Sequence, residues 1–220
     1  MHYDFINLIE LLIPSIGETL YMVFFSTFFS VLIGTVLGVI VVITENGHIL
    51  ERPMLNSVLG SIINVMRSIP FIILIVAIFP LSRLIVGTTI GSTAAIVPLS
   101  IAAAPFVARV VESSLKEVSY GLIEASISVG ASVSQIIFNV MLPEALPSLI
   151  LGLTLTIINI IGYSAMAGAI GGGGLGDLAI RYGYQRFQTD VLIATIIVLI
   201  IMVEIIQLAG NLLAAKFDKR

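Results

Sequence analysis

Few side chains in this chain can do chemistry, and their spacing argues against an enzyme. The two histidines, His2 and His48, lie far apart in sequence, and there is no cysteine. Neither H-E-x-x-H nor G-x-S-x-G occurs, and with so few ligating groups no metal site is expected. The run Gly171-Gly172-Gly173-Gly174-Leu175-Gly176 formally contains G-x-G-x-x-G. It follows a long apolar segment rather than a strand, so it lacks the strand-turn-helix context that makes such glycines a dinucleotide site. An irregular loop is expected there instead. G-x-x-x-x-G-K-[ST] is absent, so the chain cannot hold a nucleotide through that motif. What remains is a set of charges in apolar surroundings: Arg67, followed by Ser68-Ile69-Pro70, then Glu204, and a polar island from Glu124 to Pro143.

Those charges have to be positioned by membrane helices. The chain has 220 residues, 58% hydrophobic and only 10% charged, with a mean hydropathy of +1.15. Soluble domains carry about 25% charged residues, so this sequence cannot cover a water-facing surface and belongs among membrane lipids. The net charge of −3 is small and says nothing about nucleic acid, and apart from the last few residues there is no basic cluster; no nucleic-acid partner is expected. Lys216, Lys219 and Arg220 suit an anchor at the membrane face. The N-terminal segment carries Asp4 and Glu10 where a cleaved leader would be basic, and it is expected to stay as a transmembrane helix.

Five spans are expected: Leu20–Ile43, about Ser57–Phe79, Leu84–Ala108, Leu146–Ala169 and about Val191–Leu213. The second contains Arg67 and Pro70, and the fifth contains Glu204. With the N-terminus outside, Arg52, Arg109, Lys116, Lys216, Lys219 and Arg220 lie on the inner side. Arg83, Arg181 and Arg186 lie on the outer side. That bias favours N-terminus out and C-terminus in. A single all-helical membrane domain, 1–220, is expected, with one large cytoplasmic feature at about 112–145. Gly34-x-x-x-Gly38 lets another helix approach the first span. Pro98 and Pro105 interrupt the third, for packing or for a gate.

A buried membrane charge is costly and usually paired. Arg67 and Glu204 are therefore expected to pair, or each to reach backbone freed at Pro70; otherwise Arg67 snorkels to the interface. In the polar island, helical stretches Tyr120–Val129 and Ser132–Val140 flank Gly130-Ala131, and Pro143 and Pro147 punctuate entry to the fourth span. Leu122, Ile123, Ile127, Ile136 and Ile137 are candidate anchors for a partner groove. The alternative is an interfacial amphipathic loop without a partner. Tyr163, Ser164 and Met166, among small residues at the end of the fourth span, suit either core packing or a pathway. Beyond the glycines, Arg181, Tyr182, Tyr184, Arg186 and Phe187 form either a docking patch or an interfacial belt.

The island reads Glu124-Ala125-Ser126, three residues, Gly130, nine residues, Val140-x-Leu142-Pro143. This spacing resembles the EAA signature of ABC importer permeases: Glu-Ala-Ala, three residues, Gly, nine residues, Ile-x-Leu-Pro. Ser126 replaces Ala and Val140 replaces Ile. Residues 67–72 (RSIPFI), 94–99 (AAIVPL), 142–147 (LPEALP) and the stretch 162–186 look like the methionine importer permeases (MetI-type). The likeness covers most of the chain from about Ser57.

The resemblance implies a type I ABC importer permease fold in the bacterial inner membrane. Its cytoplasmic helix-turn-helix would couple to an ATPase through Glu124, Ala125, Gly130, Leu142 and Pro143, and Tyr163, Ser164 and Met166 would line the pathway. The working complex would contain two copies of this chain, two ATPase subunits and an extracytoplasmic methionine-binding (lipo)protein. The chain itself would be non-catalytic and bind no cofactor; ATP and Mg would be used by the ATPase. The alternatives are another small amino acid or a peptide as cargo, or an ion-coupled secondary transporter. For the latter, Glu204 is the only acid deep in a span.

Overall fold

The computed structural model describes residues 5–218. His2, Asp4, Lys219 and Arg220, which entered the sequence expectations above, lie outside the described residues.

Helix α1 spans Phe5–Ile43, continues through Pro14 and is apolar almost throughout. It begins well before Leu20, because nothing in residues 5–19 terminates a helix except Pro14. Helices α2 (Pro53–Ser68) and α3 (Phe71–Val86) follow. The second span, expected as one helix over Ser57–Phe79, is instead this pair, bent by 107°. Proline supplies the reason. It has no N–H to continue the ladder, and it pushes the preceding residue out of the helical region; Ile69 accordingly sits at φ −80°, ψ 123°.

Gly87, at φ +85°, caps α3 by donating its N–H to the Arg83 carbonyl. Leu84–Val86 therefore close α3, and the next helix, α4, runs over Ser92–Lys116 instead of 84–108. Pro98 and Pro105 are both buried inside an unbroken α4. Among the described residues four helical stretches are individually long and apolar enough to cross a membrane, and the bent α2–α3 pair makes a fifth only if counted as one span.

The chain then folds into short pieces: α5 (Tyr120–Ser128), α6 (Val133–Ile136), a π-turn over Ile137–Met141, and α7 (Leu142–Glu144). Helix α8 (Leu146–Ala167) returns across the molecule. A kinked turn (Gly168–Gly172), α9 (Gly174–Leu178), a π-stretch (Ala179–Tyr184) and α10 (Thr189–Phe217) complete it.

Helix α4 is the axis of the packing, and its tightest neighbour is α1. A Cβ on Gly34 would lie 2.5 Å from the Cβ of Val107, and one on Gly38 would lie 2.6 Å from the carbonyl oxygen of Ala108. The Gly34-x-x-x-Gly38 pair therefore does what its spacing predicts: it brings two backbones together where lipid supplies no hydrophobic drive. Helix α10 packs on α8 through Gly210, whose Cβ would meet the Thr154 side chain at 2.1 Å. Most of α10 is exposed, as a lipid-facing helix should be.

Candidate functional site

The polar island forms a helix-turn-helix at one end of the bundle. α5 ends at a turn in which Gly130 has φ +81°, with open space where its Cβ would be. Glycine is needed here for backbone conformation, not for room. Ser132 then caps α6 by a reciprocal capping box. Its Oγ accepts from the Gln135 N–H at 3.3 Å, and the Gln135 Oε1 accepts from the Ser132 N–H at 2.8 Å. The spacing Ser132-x-x-Gln135 was a signal for this helix start that the sequence reading did not use.

Glu124, Ala125, Gly130 and Pro143 are exposed, while Leu142 packs against the core. The expected apolar anchors divide. Ile123 and Ile136 are fully buried in a cluster with Val107, Leu115, Met141 and Leu149, so they hold the loop to α4 and α8. The side chains left for a partner are Leu122, Ile127, Val129 (84% exposed) and Phe138 (65% exposed). Val129 and Phe138 were missed, because an unpartnered helix of one or two turns gives no period to separate its two faces.

Beneath the loop lies a charge network. Glu112, 8% exposed, accepts hydrogen bonds from Arg109 and, at 3.1 Å, from the Lys116 ammonium. Lys116 also reaches Glu45 at 3.0 Å, just past α1, and Arg109 donates to Asn64 Oδ1 on α2 at 2.7 Å. Tyr120 donates its hydroxyl proton to the Gly47 carbonyl at 3.1 Å. The start of the loop is thereby tied to α1, α2 and α4 together. His48 stands beside Tyr120, with its Nδ1 buried and unpartnered among the described residues. Burial holds its imidazole below the usual value; Glu45 opposes that and Lys116 adds to it.

Arg67 and Glu204 do not pair. Arg67 lies with its guanidinium 5.9 Å from the centre of the Phe106 ring. Glu204 sits in a separate groove against Ile158, Gly162 and Ala165. The break at Pro70 directs Arg67 toward α4 and the Tyr163 side of α8, whereas α10 meets the Gly162 side, about 100° around the same helix. The three expected pathway residues also diverge. Tyr163 is half-buried and stacked on Phe71, with ring centres 4.5 Å apart. Met166 is 41% exposed. Ser164 is buried and donates to the Ile161 carbonyl at 2.7 Å, so it faces inward.

At the opposite end of α8 the glycines make the expected irregular connection, with Ile170 (φ −115°, ψ 23°) and Gly171 (φ 97°, ψ 13°) outside the helical region, but it is tightly packed. They form a kinked turn and the start of α9, folded back so closely that a Cβ on Gly176 would lie 2.3 Å from the Ala165 carbonyl oxygen. The Gly174 N–H donates to Glu18 at 2.6 Å and the Leu175 N–H to Thr19 Oγ1 at 2.9 Å, which pins the turn to α1. Beyond it Arg181 pairs with Asp177 at 2.6 Å, and Arg181 and Arg186 both lie over the Tyr182 ring. Tyr184 and Phe187 are left exposed, with Phe187 at φ 56°.

Residues 34–220 match the family described as "Binding-protein-dependent transport system inner membrane component". A Vibrio cholerae protein called "Probable D-methionine transport system permease protein MetI" is 49% identical over 96% of this chain and 94% of its own length. The methionine import system permease protein MetP of Bacillus subtilis is 46% identical over 81% of this chain and 80% of its own. Among solved structures, an inward-facing MetNI methionine ABC transporter contains a chain 46% identical to this one, with a TM-score of 0.95, covering 97% of this chain and 99% of that one. An amino acid ABC transporter at 21% identity shares the fold, with a TM-score of 0.77.

Proposed function

The chain belongs to the binding-protein-dependent transport system inner membrane components, and from that premise we propose that it is the permease subunit of an ATP-driven methionine importer. The observation that carries the cargo is near-half identity, over 96% and 81% of this chain, with proteins named for methionine transport. Two copies form the pathway, because one bundle encloses too little to surround a substrate. A separate ATPase docks on the helix-turn-helix at 117–145, where Leu122, Ile127, Val129 and Phe138 offer exposed apolar side chains around Gly130. Glu124, Ala125 and Pro143 lie on the exposed surface of the same segment, and Leu142 anchors it to the core. ATP and Mg act in that partner; this subunit is non-catalytic.

Closure of the ATPases pulls the loop. The network through Lys116, Glu112 and Arg109 passes that motion to α1, α2 and α4. A loaded methionine-binding protein docks at the glycine-rich end, where Tyr184 and Phe187 stand exposed beside the Arg181–Tyr182–Arg186 stack. The loop then faces the cytoplasm, with the N-terminus outside and the C-terminus inside, in agreement with the Lys/Arg bias.

Labelled L-methionine uptake at low concentration, in cells lacking this chain and any second methionine importer, tests the reading. Restoration by the wild-type chain but not by Gly130→Arg is expected. No defect in the deleted cells would remove methionine as cargo.

A further inference from the structure

The bend between α2 and α3 opens a cavity of about 240 Å³, lined by Met66, Arg67, Phe71, Ala102, Phe106 and Tyr163. Ala102 lies roughly 15 Å along α4 from Ser92 and 21 Å from Lys116, taking about 1.5 Å per residue. On the same scale Arg109, the first charge of the loop-end network, lies only about 10 Å beyond Ala102, so the cavity sits in the loop-side half of the span. A cation at that depth is costly and is normally matched by a carboxylate. Arg67 is exposed in the single chain, open to the cavity rather than enclosed; among the described residues no carboxylate pairs with it, and its guanidinium lies over the face of Phe106, which offsets only part of that cost.

The rest of the lining is equally particular. The carbonyl of Met66, at the end of α2, would meet the N–H of residue 70 in a continuous helix, but that residue is proline and has none. The negative end of one half-helix and the positive end of the next, which starts at Phe71, thus face the same space. Phe71 and Tyr163 stack in parallel at 4.5 Å and supply an aromatic wall.

We propose that this cavity is a transit subsite for a zwitterionic amino acid with a thioether or similar apolar side chain. Arg67 takes the α-carboxylate. The carbonyl end of α2 takes the α-ammonium. The side chain rests on the aromatic wall, which suits a polarisable sulfur. A site built from a fork-shaped donor and two dipole ends fixes the amino-acid head group and leaves the side chain loosely specified. The inference rests on the importer reading above, and Arg67 acts as a binding residue only.

The test uses the assembled importer in liposomes with saturating methionine-loaded binding protein. ATP hydrolysis and labelled methionine uptake are measured together for wild type, Arg67→Gln and Arg67→Lys. Loss of one charge-assisted contact should lower uptake per ATP hydrolysed about tenfold in Arg67→Gln. Binding-protein-stimulated hydrolysis should stay within about twofold of wild type, and Arg67→Lys should recover much of the uptake. Equal uptake per ATP in wild type and Arg67→Gln would overturn the subsite and leave the importer reading standing. Hydrolysis and uptake falling together, or a complex that no longer assembles, would make Arg67 a structural residue and also overturn the subsite. A wild-type importer that moves no methionine would instead remove the reading on which the proposal rests.

Discussion

The two ends of α8 use glycine in opposite ways. At the glycine-rich end Gly168 and Gly176 are needed because nothing larger fits: a Cβ on either would sit 2.3–2.4 Å from backbone atoms of the facing segment. At the loop end Gly130 has empty space around it and is needed only for its φ of +81°. The first end is closed on itself and tied to α1 by Glu18 and Thr19. The second is held to the bundle by Ile123 and Ile136 but leaves Val129 and Phe138 mostly uncovered among the described residues. One end is closed by its own packing; the other leaves apolar side chains open, where the proposed ATPase docking would cover them.

Substitutions should separate the two cases. Gly176→Val should have the largest effect, roughly 3 kcal/mol or more of destabilisation, because rigid backbone must move to admit the side chain. Thermal unfolding of the purified chain measures it, and a wild-type melting temperature would break the contrast. Gly130→Arg should leave the melting temperature within a few degrees, since the left-handed turn costs about 1 kcal/mol. ATPase co-purification and uptake should nevertheless fall about tenfold or more. Gly130→Ala, which pays the same backbone cost without the bulk, should retain most of both.

Phe138→Ala sharpens the loop end further. An exposed anchor truncated at a docking surface should weaken ATPase binding by about 1–2 kcal/mol and leave the isolated chain unchanged. The control is Ile136→Ala. That side chain is buried, so its loss should appear as about 2–4 kcal/mol of stability rather than docking.

Smaller effects probe the network between loop and bundle. Glu112→Gln keeps the shape but removes the charge shared by Arg109 and Lys116, both partly exposed. Screening holds the expected loss to about 1 kcal/mol. The informative readout is uptake per ATP, which should fall if the network transmits motion.

The smallest effect is that of pH on His48. Its folded value lies below the unfolded value of 6.5, so the neutral ring is favoured in the fold. Its contribution is present above pH 6.5 and is lost as pH falls through the lower folded value. Wild type should lose loop-end stability over that window, and His48→Gln should flatten the profile in a pH series of melting curves.

Much of the loop was legible in the sequence because its punctuation is local. Gly130, Pro143 and the Glu124–Pro143 spacing sit in a stretch whose polarity contrasts with everything around it. The division of its isoleucines was not legible: Ile123 and Ile136 differ from Ile127 only in what lies across from them. Arg67 and Glu204 illustrate the same limit. Both were visible as costly intramembrane charges, with pairing, reach to freed backbone and snorkelling equally open. Which side of α8 each one meets depends on the break at Pro70 and on the packing of α10.

Sequence alone determined the class of this protein: an apolar, helical, membrane-crossing chain with one polar helix-turn-helix and no catalytic constellation. It did so because composition and local turn chemistry need no knowledge of neighbours. Tertiary structure decided the rest. It broke the second span into two helices meeting at 107° and turned the glycine run into a packed turn. It also sorted exposed side chains from buried ones in the loop. Each of these depends on which backbone lies within a few ångströms of a given residue. In a bundle where most positions are apolar, the pattern of residue types cannot report that.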